Sequence, residues 1–209
     1  QNSNDNTIGR YRYEDVNKDG KITEADRTIL GYSQPKFTLG WNNNLRWKNW
    51  NLNLFFNSSF GNDILNMAGA YMRTGILNLS GLSFNQTRDW YEKRWTVENP
   101  TNDPKYPAIQ PKPNGGLLAF NDANSTMVED GSFVRLKSAT LAYSFTESSN
   151  KFLRGLSVFI TGTNLFTITK YSGFDPEVSS YGADIKLTGI DYGAYPNYRG
   201  YTLGINLTF

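Results

Sequence analysis

The chain of 209 residues contains no cysteine and no histidine. Without cysteine there can be no disulfide, no thiolate nucleophile and no sulfur-ligated zinc. Without histidine the chain lacks the commonest metal ligand and the commonest general base of enzymes. These two absences leave binding, transport and structural roles as better hypotheses than catalysis.

Long hydrophobic runs are also missing. Hydrophobic residues make up 38% of the chain and charged residues 19%, and the mean hydropathy is −0.54. A membrane-spanning helix, which needs about 20 apolar residues in succession, is therefore excluded. A membrane β-barrel is not excluded, because its strands alternate apolar and polar residues. The net charge of +2 is too small and too scattered to indicate a nucleic-acid partner.

The beginning of the chain has no export signal, because Gln1 opens a polar stretch without a charged and then apolar leader. Either a signal has been removed or the chain is an internal piece of something longer. The sequence permits both interpretations.

The last residues alternate without a break. Between Tyr201 and Phe209 every second residue is apolar, and the residues between them are Thr202, Gly204, Asn206 and Thr208. A period of two is typical of a strand with one apolar side. This segment alone fits equally well the closing strand of an outer-membrane β-barrel and the last strand of a soluble sandwich.

Two further strands are predicted on either side of a tight turn at Lys48-Asn49. Their apolar faces carry Phe37, Leu39, Trp41, Leu45 and Trp47, then Trp50, Leu52, Leu54 and Phe56. Only Asn43 interrupts the first of these faces. The opposite face is rich in asparagine, which suits a watery lumen better than a dry core. The aromatic residues at the strand ends suit the interfacial girdle of a membrane barrel.

A third strand is predicted from Ser132 to about Phe145 and a fourth from about Leu156. Arg135 and Lys137 share the parity of the apolar residues Leu141, Tyr143 and Phe145. Either these two basic residues reach lipid headgroups or a bulge shifts the register, and the sequence leaves both open.

Long and short connections alternate along the chain. Residues 15–34, 61–130 and 171–196 are long, whereas 48–49 and 147–154 are short. Bacterial barrels have short periplasmic turns and long external loops, which this alternation matches. Within the 61–130 loop, a helix is predicted over Asn85–Trp95.

Residues 15–26 have the spacing of a twelve-residue calcium loop, with glycine at its sixth position. The predicted ligands are side-chain oxygens and one carbonyl, from Asp15, Asn17, Asp19, Lys21 (carbonyl) and Asp26. Because no second such motif accompanies it, we expect a structural rather than a signalling role for Ca²⁺. The alternative is an Asx-rich surface turn followed by a capped helical turn.

Several stretches together resemble the C-terminal part of the SusC/RagA family of TonB-dependent outer-membrane transporters of Bacteroidetes. They are Tyr13 to Thr23 with Asp26, Arg27, Gly31 and Pro35; Arg94-Trp95 with Pro100; Asp130 to Lys137; Leu141 to Tyr143; Thr163 to Phe166; Lys170 to Glu177; Tyr195 to Arg199; and Phe209. Any one of them is weak, but the ordered set is specific and covers nearly the whole chain.

The resemblance implies an all-β fold, an antiparallel transmembrane β-barrel segment of about five or six C-terminal strands from a 22-stranded barrel. Residues 1–209 would form this segment, with long extracellular loops, in the cell outer membrane. It further implies a non-enzymatic importer of oligosaccharides or peptides that works with a SusD-like lipoprotein lid and is driven by TonB. The plug and the TonB-contacting part are absent, so the rest of the barrel must come from elsewhere, because open strand edges in lipid are costly.

Loop aromatics are the candidate ligand-binding residues, since sugars and peptides stack on flat rings; they are Tyr71, Trp90, Tyr91, Trp95 and Tyr181. One alternative function is a secreted binding module with a calcium-stabilised β-sandwich. Another is a glycosidase that uses Asp175 and Glu177 as paired carboxylates. Two carboxylates only two residues apart on a proline-containing loop, with no activated nucleophile or base in the sequence, do not favour it.

Overall fold

A five-stranded antiparallel sheet dominates the computed structural model, which describes residues 8–9, 11–73, 85–103, 105–108, 123–145, 155–177, 180 and 187–208. The strands of this main sheet are β1 (Phe37–Trp47), β2 (Trp50–Phe60), β5 (Phe133–Phe145), β6 (Gly155–Thr169) and β8 (Gly200–Thr208), in the order β1-β2-β5-β6-β8. Neighbours in space follow one another along the chain, so successive connections lie at opposite ends of the sheet. The connections after β2 and β6 are long and those after β1 and β5 are short, which confirms the predicted alternation. We call the end reached by β2 at Phe60 the long-loop end.

The main sheet has one apolar and one polar face, as the alternation in the sequence predicts. The register places leucine or isoleucine side by side on all five strands, at Leu45, Leu52, Leu141, Ile160 and Leu203. Other members of this apolar face include Phe37, Trp41, Trp47, Trp50, Phe56, Phe145, Phe166, Ile168, Tyr201 and Ile205, and most of them are exposed. Among the described residues no second layer covers this face. Within the described residues, these apolar side chains do not form the interior of a sandwich.

The polar face carries mainly asparagine, serine and threonine, among them Asn42, Asn53, Asn57, Thr140, Thr161 and Thr202. Aromatic residues also point to this side, among them Phe55 and Phe159. Phe55 lies beside Gly40, and the Phe159 ring lies over Gly204 on β8, where a Cβ atom would collide with it. A side chain at position 204 would therefore force the Phe159 ring to move.

A bulge at Lys137 separates the two halves of β5. Phe55 pairs with Ser138 but Phe56 pairs with Leu136, so Lys137 is an extra residue in the ladder with β2. A bulge of this kind leaves one residue unpaired and shifts the parity of everything beyond it. Of the two interpretations left open by the sequence, the bulge is the correct one. It transfers Arg135 to the polar face.

The buried core lies at the long-loop end and not between sheets. A small sheet of β4 (Val128–Asp130), β3 (Asp63–Asn66) and β7 (Ile190–Asp191) forms there, with β3 and β7 parallel. Helix α1 (Met67–Arg73) follows β3 directly, and its Met67 and Ala70 pack against Met127. The two long connections therefore fold together over the end of the main sheet.

Helix α2 (Arg88–Lys93) is shorter than the predicted Asn85–Trp95 helix. Thr87 caps its first turn by accepting a hydrogen bond from the Trp90 N–H, so the helix cannot begin earlier. An i,i+4 ion pair joins Arg88 and Glu92 along this helix, at 2.6 Å. No helix among the described residues is long and apolar enough to cross a membrane.

Both edges of the main sheet are open. Within the described part of the chain, β1 pairs only with β2 and β8 only with β6. The main sheet is thus antiparallel, as predicted, but its described strands do not close into a barrel. Phe209, predicted to end the apolar face, lies outside the described residues.

Candidate functional site

Arg135 lies at the centre of the most densely hydrogen-bonded part of the polar face. Its side chain is 2% exposed. The guanidinium pairs with Asp175 through Nη2, with Glu177 through Nη1 at 2.7 Å and with the Thr167 hydroxyl through Nε at 2.8 Å. Its Cζ atom lies 5.4 Å from the centre of the Phe133 ring. Only arginine offers three nitrogens in a fixed planar fork, so that one side chain can donate to three acceptors at once.

Asp175 connects the two parts of the second long connection. Its Oδ1 accepts the Glu177 N–H at 2.9 Å, and its Oδ2 accepts both the backbone N–H and the side-chain amide of Asn197, at 3.0 and 3.1 Å. Burial raises the pKa of Asp175, but the hydrogen bond from the Glu177 N–H and the Arg135 guanidinium outweigh burial and lower it. The carboxylate is therefore charged and holds the start and end of the connection to β5.

Glu177 uses its two oxygens unequally. Oε2 receives Arg135 at 2.7 Å, Lys137 at 3.2 Å and the Asn197 amide at 3.4 Å. From the described residues, Oε1 receives one long hydrogen bond, of 3.4 Å, from the Asn57 side chain. Oε2 is thus occupied by two cations and one amide, whereas Oε1 can still accept hydrogen bonds.

A cavity of about 300 Å³ lies beside Glu177, at the junction of the main sheet and the long connections. Its lining combines hydroxyl and amide groups with one carboxylate and some apolar surface, and includes Thr38, Asn57, Ser59, Asn62, Phe133 and Glu177. Ligand pockets in proteins begin at about this size. Two of the lining groups already contact each other, because the Ser59 hydroxyl donates a hydrogen bond to Asn62 Oδ1 at 2.9 Å.

A second network holds the segment that carries Asp175. The Glu129 carboxylate accepts hydrogen bonds from Arg73 and Asn66, both at 3.0 Å, and from the backbone and hydroxyl of Ser172, both at 2.8 Å. Burial raises the pKa of Glu129, and the hydrogen bonds from Ser172 and Arg73 lower it further than burial raises it.

Next to Ser172, the Tyr171 hydroxyl donates to Asp191 on β7 at 2.6 Å. Burial and the Asp191 carboxylate raise the pKa of Tyr171, so its phenol remains a donor. The hydrogen bonds of Tyr171 and Ser172 hold in place the chain segment that leads to Asp175.

The five predicted ligand-binding aromatics do not form one cluster. Tyr71 belongs to α1 and packs in the core, with its ring 6.3 Å from that of Tyr192. Trp90 is buried, Trp95 half-buried and Tyr91 exposed, all on or just after α2. Tyr181 lies outside the described residues. Ligand binding by these residues stays a prediction.

One arrangement near α2 does present an exposed ring. The Arg94 guanidinium lies over the rings of both Trp90 and Tyr91, at 5.2 and 4.5 Å. Tyr91, the outer of the two rings, has the accessible surface that stacking requires.

The backbone of the predicted calcium loop, residues 15–26, makes the sharp turn that this spacing requires. Lys18 and Gly20 have φ angles of 60° and 80°, and the Asp26 carboxylate reaches back to the Val16 N–H at 2.9 Å. Hydrogen bonds from backbone N–H groups, that of Thr23 foremost, lower the pKa of Asp26. The carboxylate oxygens of Asp15 and Asp19 also accept hydrogen bonds, from the backbone N–H groups of Gly20 and Lys21 respectively.

Oxygen donors of this kind and order suit a hard cation such as Ca²⁺. In the described part of the chain, however, no three Asp, Glu, His or Cys side chains lie close enough together to hold a metal ion. Binding would therefore require the carboxylates to turn from the backbone towards a common centre.

The Arg135 network was not identified as a site from the sequence. Its charged members and Asn197 come from three of the stretches that carry the family resemblance, residues 130–137, 170–177 and 195–199. The conflict in parity at Arg135 was the one local signal. A glycosidase that used Asp175 as its general acid would need a raised pKa at this carboxyl, whereas the Glu177 N–H and the Arg135 guanidinium lower the pKa of Asp175.

No protein-family model matches the sequence. TonB-dependent receptor P3 of Formosa agariphila is 36% identical over 99% of this chain and 20% of the receptor. TonB-dependent receptor SusC of Bacteroides thetaiotaomicron is 36% identical over 45% of this chain and 9% of the receptor. The solved structure of the RagAB peptide importer in its open-open state matches with a TM-score of 0.72 and 25% identity, over 97% of this chain and 21% of that one. The chain thus spans about a fifth of the length of receptor P3 and of the matched RagAB importer chain.

Proposed function

Because this chain is homologous to SusC/RagA-type TonB-dependent receptors over about a fifth of their length, we propose that it forms part of the barrel wall of an outer-membrane nutrient importer. TonB-dependent receptors reside in the bacterial outer membrane, and the predicted location is thereby confirmed. They are transporters and not enzymes, in agreement with the prediction of a non-catalytic role.

The observation that carries the proposal is the two-faced main sheet. Its apolar face is continuous over five strands and uncovered, and its other face is rich in asparagine, serine and threonine. In a barrel wall the first face meets lipid and the second meets an aqueous lumen. Aromatic contacts at the short-turn end, such as Trp50 with Tyr143 at 4.8 Å between ring centres, suit the membrane interface.

The open edges of β1 and β8 support completion of a 22-stranded barrel by the rest of the receptor. An unpaired strand edge in lipid costs several kcal/mol for each unsatisfied group, about 2–7 by transfer scales. We expect the plug, the TonB-contacting part and a SusD-like lipoprotein lid to complete the importer. The substrates are oligosaccharides or peptides. A sandwich module is the weaker alternative, since the described chain has no layer over the apolar face.

Uptake measurements test this proposal. Cells that lack the complete receptor gene should fail to take up at least one member of a panel of fluorescent oligosaccharides and oligopeptides, and the restored gene should return uptake. Deletion of TonB should abolish that uptake but leave surface binding intact, because only the transport step draws on TonB. Uptake of the entire panel without the receptor would contradict the proposal.

We also propose that residues 15–26 bind Ca²⁺ and that the ion stabilises the adjoining external segment. Asp15→Ala removes the first oxygen ligand and should abolish calcium-dependent resistance of this segment to protease. Glu24→Ala is the matched control, because Glu24 lies in the same loop at a position that supplies no predicted ligand. Calcium content by mass spectrometry should fall by about one ion per chain in the first variant alone. Equal calcium content in both variants would exclude the site.

A further inference from the structure

We propose that the Asn43 side chain forms a hydrogen bond across the open edge of β1, to an amide or hydroxyl side chain on the strand of the complete receptor that pairs with this edge. The inference rests on the proposed function, since it takes the main sheet to be part of a barrel wall in lipid. This chain spans about a fifth of receptor P3, and a barrel closes only when every strand has two neighbours. A strand from the rest of the same receptor therefore occupies the edge.

Asn43 lies in the middle of the apolar face of β1. Five apolar residues flank it on this face, three towards the long-loop end and two towards the other end. They are Phe37, Leu39, Trp41, Leu45 and Trp47. Each of them is more than half exposed. In a barrel wall the Asn43 amide therefore lies within the hydrocarbon layer, away from both interfaces.

Within the described sheet, no lateral neighbour of Asn43 on this face carries a polar side chain. Leu54 lies directly opposite on β2, and Leu52 and Phe56 are the diagonal neighbours. Along β1, the Trp41 ring is stacked on Phe56, with ring centres 5.4 Å apart. An amide in hydrocarbon is costly unless it is hydrogen-bonded, because no water is present to bond it. The remaining lateral position is the one beyond the open edge, so the partner lies there.

The chemistry of the partner follows from that of the amide. An asparagine side chain both donates and accepts hydrogen bonds, so its best match is a neutral side chain that does the same, such as another amide or a hydroxyl. A charged partner would itself be costly at this depth. We thus expect one neutral polar residue among the otherwise apolar lipid-facing positions of the joining strand.

A polar pair at this joint fixes the register of β1 against its new neighbour. Alternation alone excludes a slip by one residue, which exchanges the two faces of a strand. It tolerates a slip by two, which keeps every apolar side chain on the lipid side. A slip by two would separate Asn43 from its partner and leave two polar groups in hydrocarbon. A single buried asparagine specifies the register of coiled coils in the same way.

Asn43→Leu in the complete receptor, refolded in lipid vesicles, tests the inference by the sign of its effect. If the amide is paired, the substitution leaves the polar group of the partner unpaired, and the ratio of folded to unfolded receptor should fall by about tenfold or more. Leucine is more favourable in lipid than an unpaired amide. A midpoint of guanidinium unfolding that is unchanged or higher would therefore overturn the inference.

Leu45→Asn is the matched control, because Leu45 is the next residue on the same face of β1 and the new amide has no partner. Its unfolding midpoint should fall. An unchanged midpoint would show that this face is not in lipid and would contradict the proposed function as well. A fall in this variant together with a rise in Asn43→Leu would overturn the pairing alone.

A double variant identifies the partner. Replacement by leucine of the neutral polar, lipid-facing residue of the joining strand, together with Asn43→Leu, should restore the midpoint because no polar group remains unpaired. Failure of the double variant to recover stability would overturn the assignment, as would a joining strand whose lipid-facing residues are all apolar. An effect of Asn43→Leu that changes with the ratio of receptor to lipid would place the partner on another molecule and overturn it too.

Discussion

Replacement of Arg135 by methionine is expected to destabilise the receptor by about 3–5 kcal/mol. The substitution leaves Asp175 buried without its cation and removes the donors that join β5 to the second long connection. An uncompensated buried charge costs far more than the intact pair contributes. The midpoint of guanidinium unfolding of the receptor, refolded in lipid vesicles, measures the loss.

Lys137→Met is the matched control for that experiment. Lys137 also contacts Glu177, at 3.2 Å, but its side chain is 36% exposed, and pairs of this kind contribute at most about 1 kcal/mol. The double variant Arg135→Met with Asp175→Asn should recover part of the loss, because no unpaired buried charge remains at position 175. Equal effects of Arg135→Met and Lys137→Met would show that the burial of Arg135 has no energetic weight.

Leu203→Arg is expected to lower the amount of folded receptor in the outer membrane sharply. Leu203 ends the row of leucine and isoleucine that crosses all five strands on the apolar face. In lipid an arginine near the bilayer midplane costs about 2–4 kcal/mol. Quantitative blotting of outer-membrane fractions, with heat-modifiable mobility as the measure of folding, reports the effect.

Thr202→Arg is the control that shows whether contact with lipid causes the loss of folded receptor in Leu203→Arg. Thr202 is the chain neighbour of Leu203, is exposed as well and lies on the polar face. In a soluble protein both substitutions would be tolerated, since the Leu203 side chain is 79% exposed. Only immersion of the apolar face in lipid makes Leu203→Arg harmful and Thr202→Arg harmless. Abundance that falls equally in both variants would contradict a lipid-facing sheet.

The main sheet could be predicted because period two is a local property. The faces around Trp41, Leu52 and Leu203 follow directly from alternation, and the turn at Lys48-Asn49 follows from the break between two such runs. The small sheet could not be predicted, because β7 is two residues long and pairs with β3 across more than half of the chain. Its stability comes from tertiary packing around Met67, which leaves no periodic signal.

The site was less predictable than the fold for a related reason. Asp175 and Glu177 were noticed, but their role depends on Arg135, which lies about forty residues earlier in the sequence. Strict alternation along β5 would put Arg135 on the apolar face. It lies on the polar face only because Lys137 is an extra residue in the strand. Whether a strand contains a bulge depends on its neighbours, so it cannot be deduced from one strand alone.

The extra residue at position 137 shows where β5 can change its length without exchanging its two faces. Lys137 takes no place in the ladder with β2, so a different side chain there leaves the hydrogen-bonded partners on both sides as they are. Loss of the residue would make Leu136 and Ser138 chain neighbours, as their partners Phe56 and Phe55 already are, so Arg135 would keep its place opposite Asn57 on the polar face. A gene for this wall can therefore change or omit the codon at that site, whereas a residue lost where the ladder is continuous shifts the parity of one half of the strand.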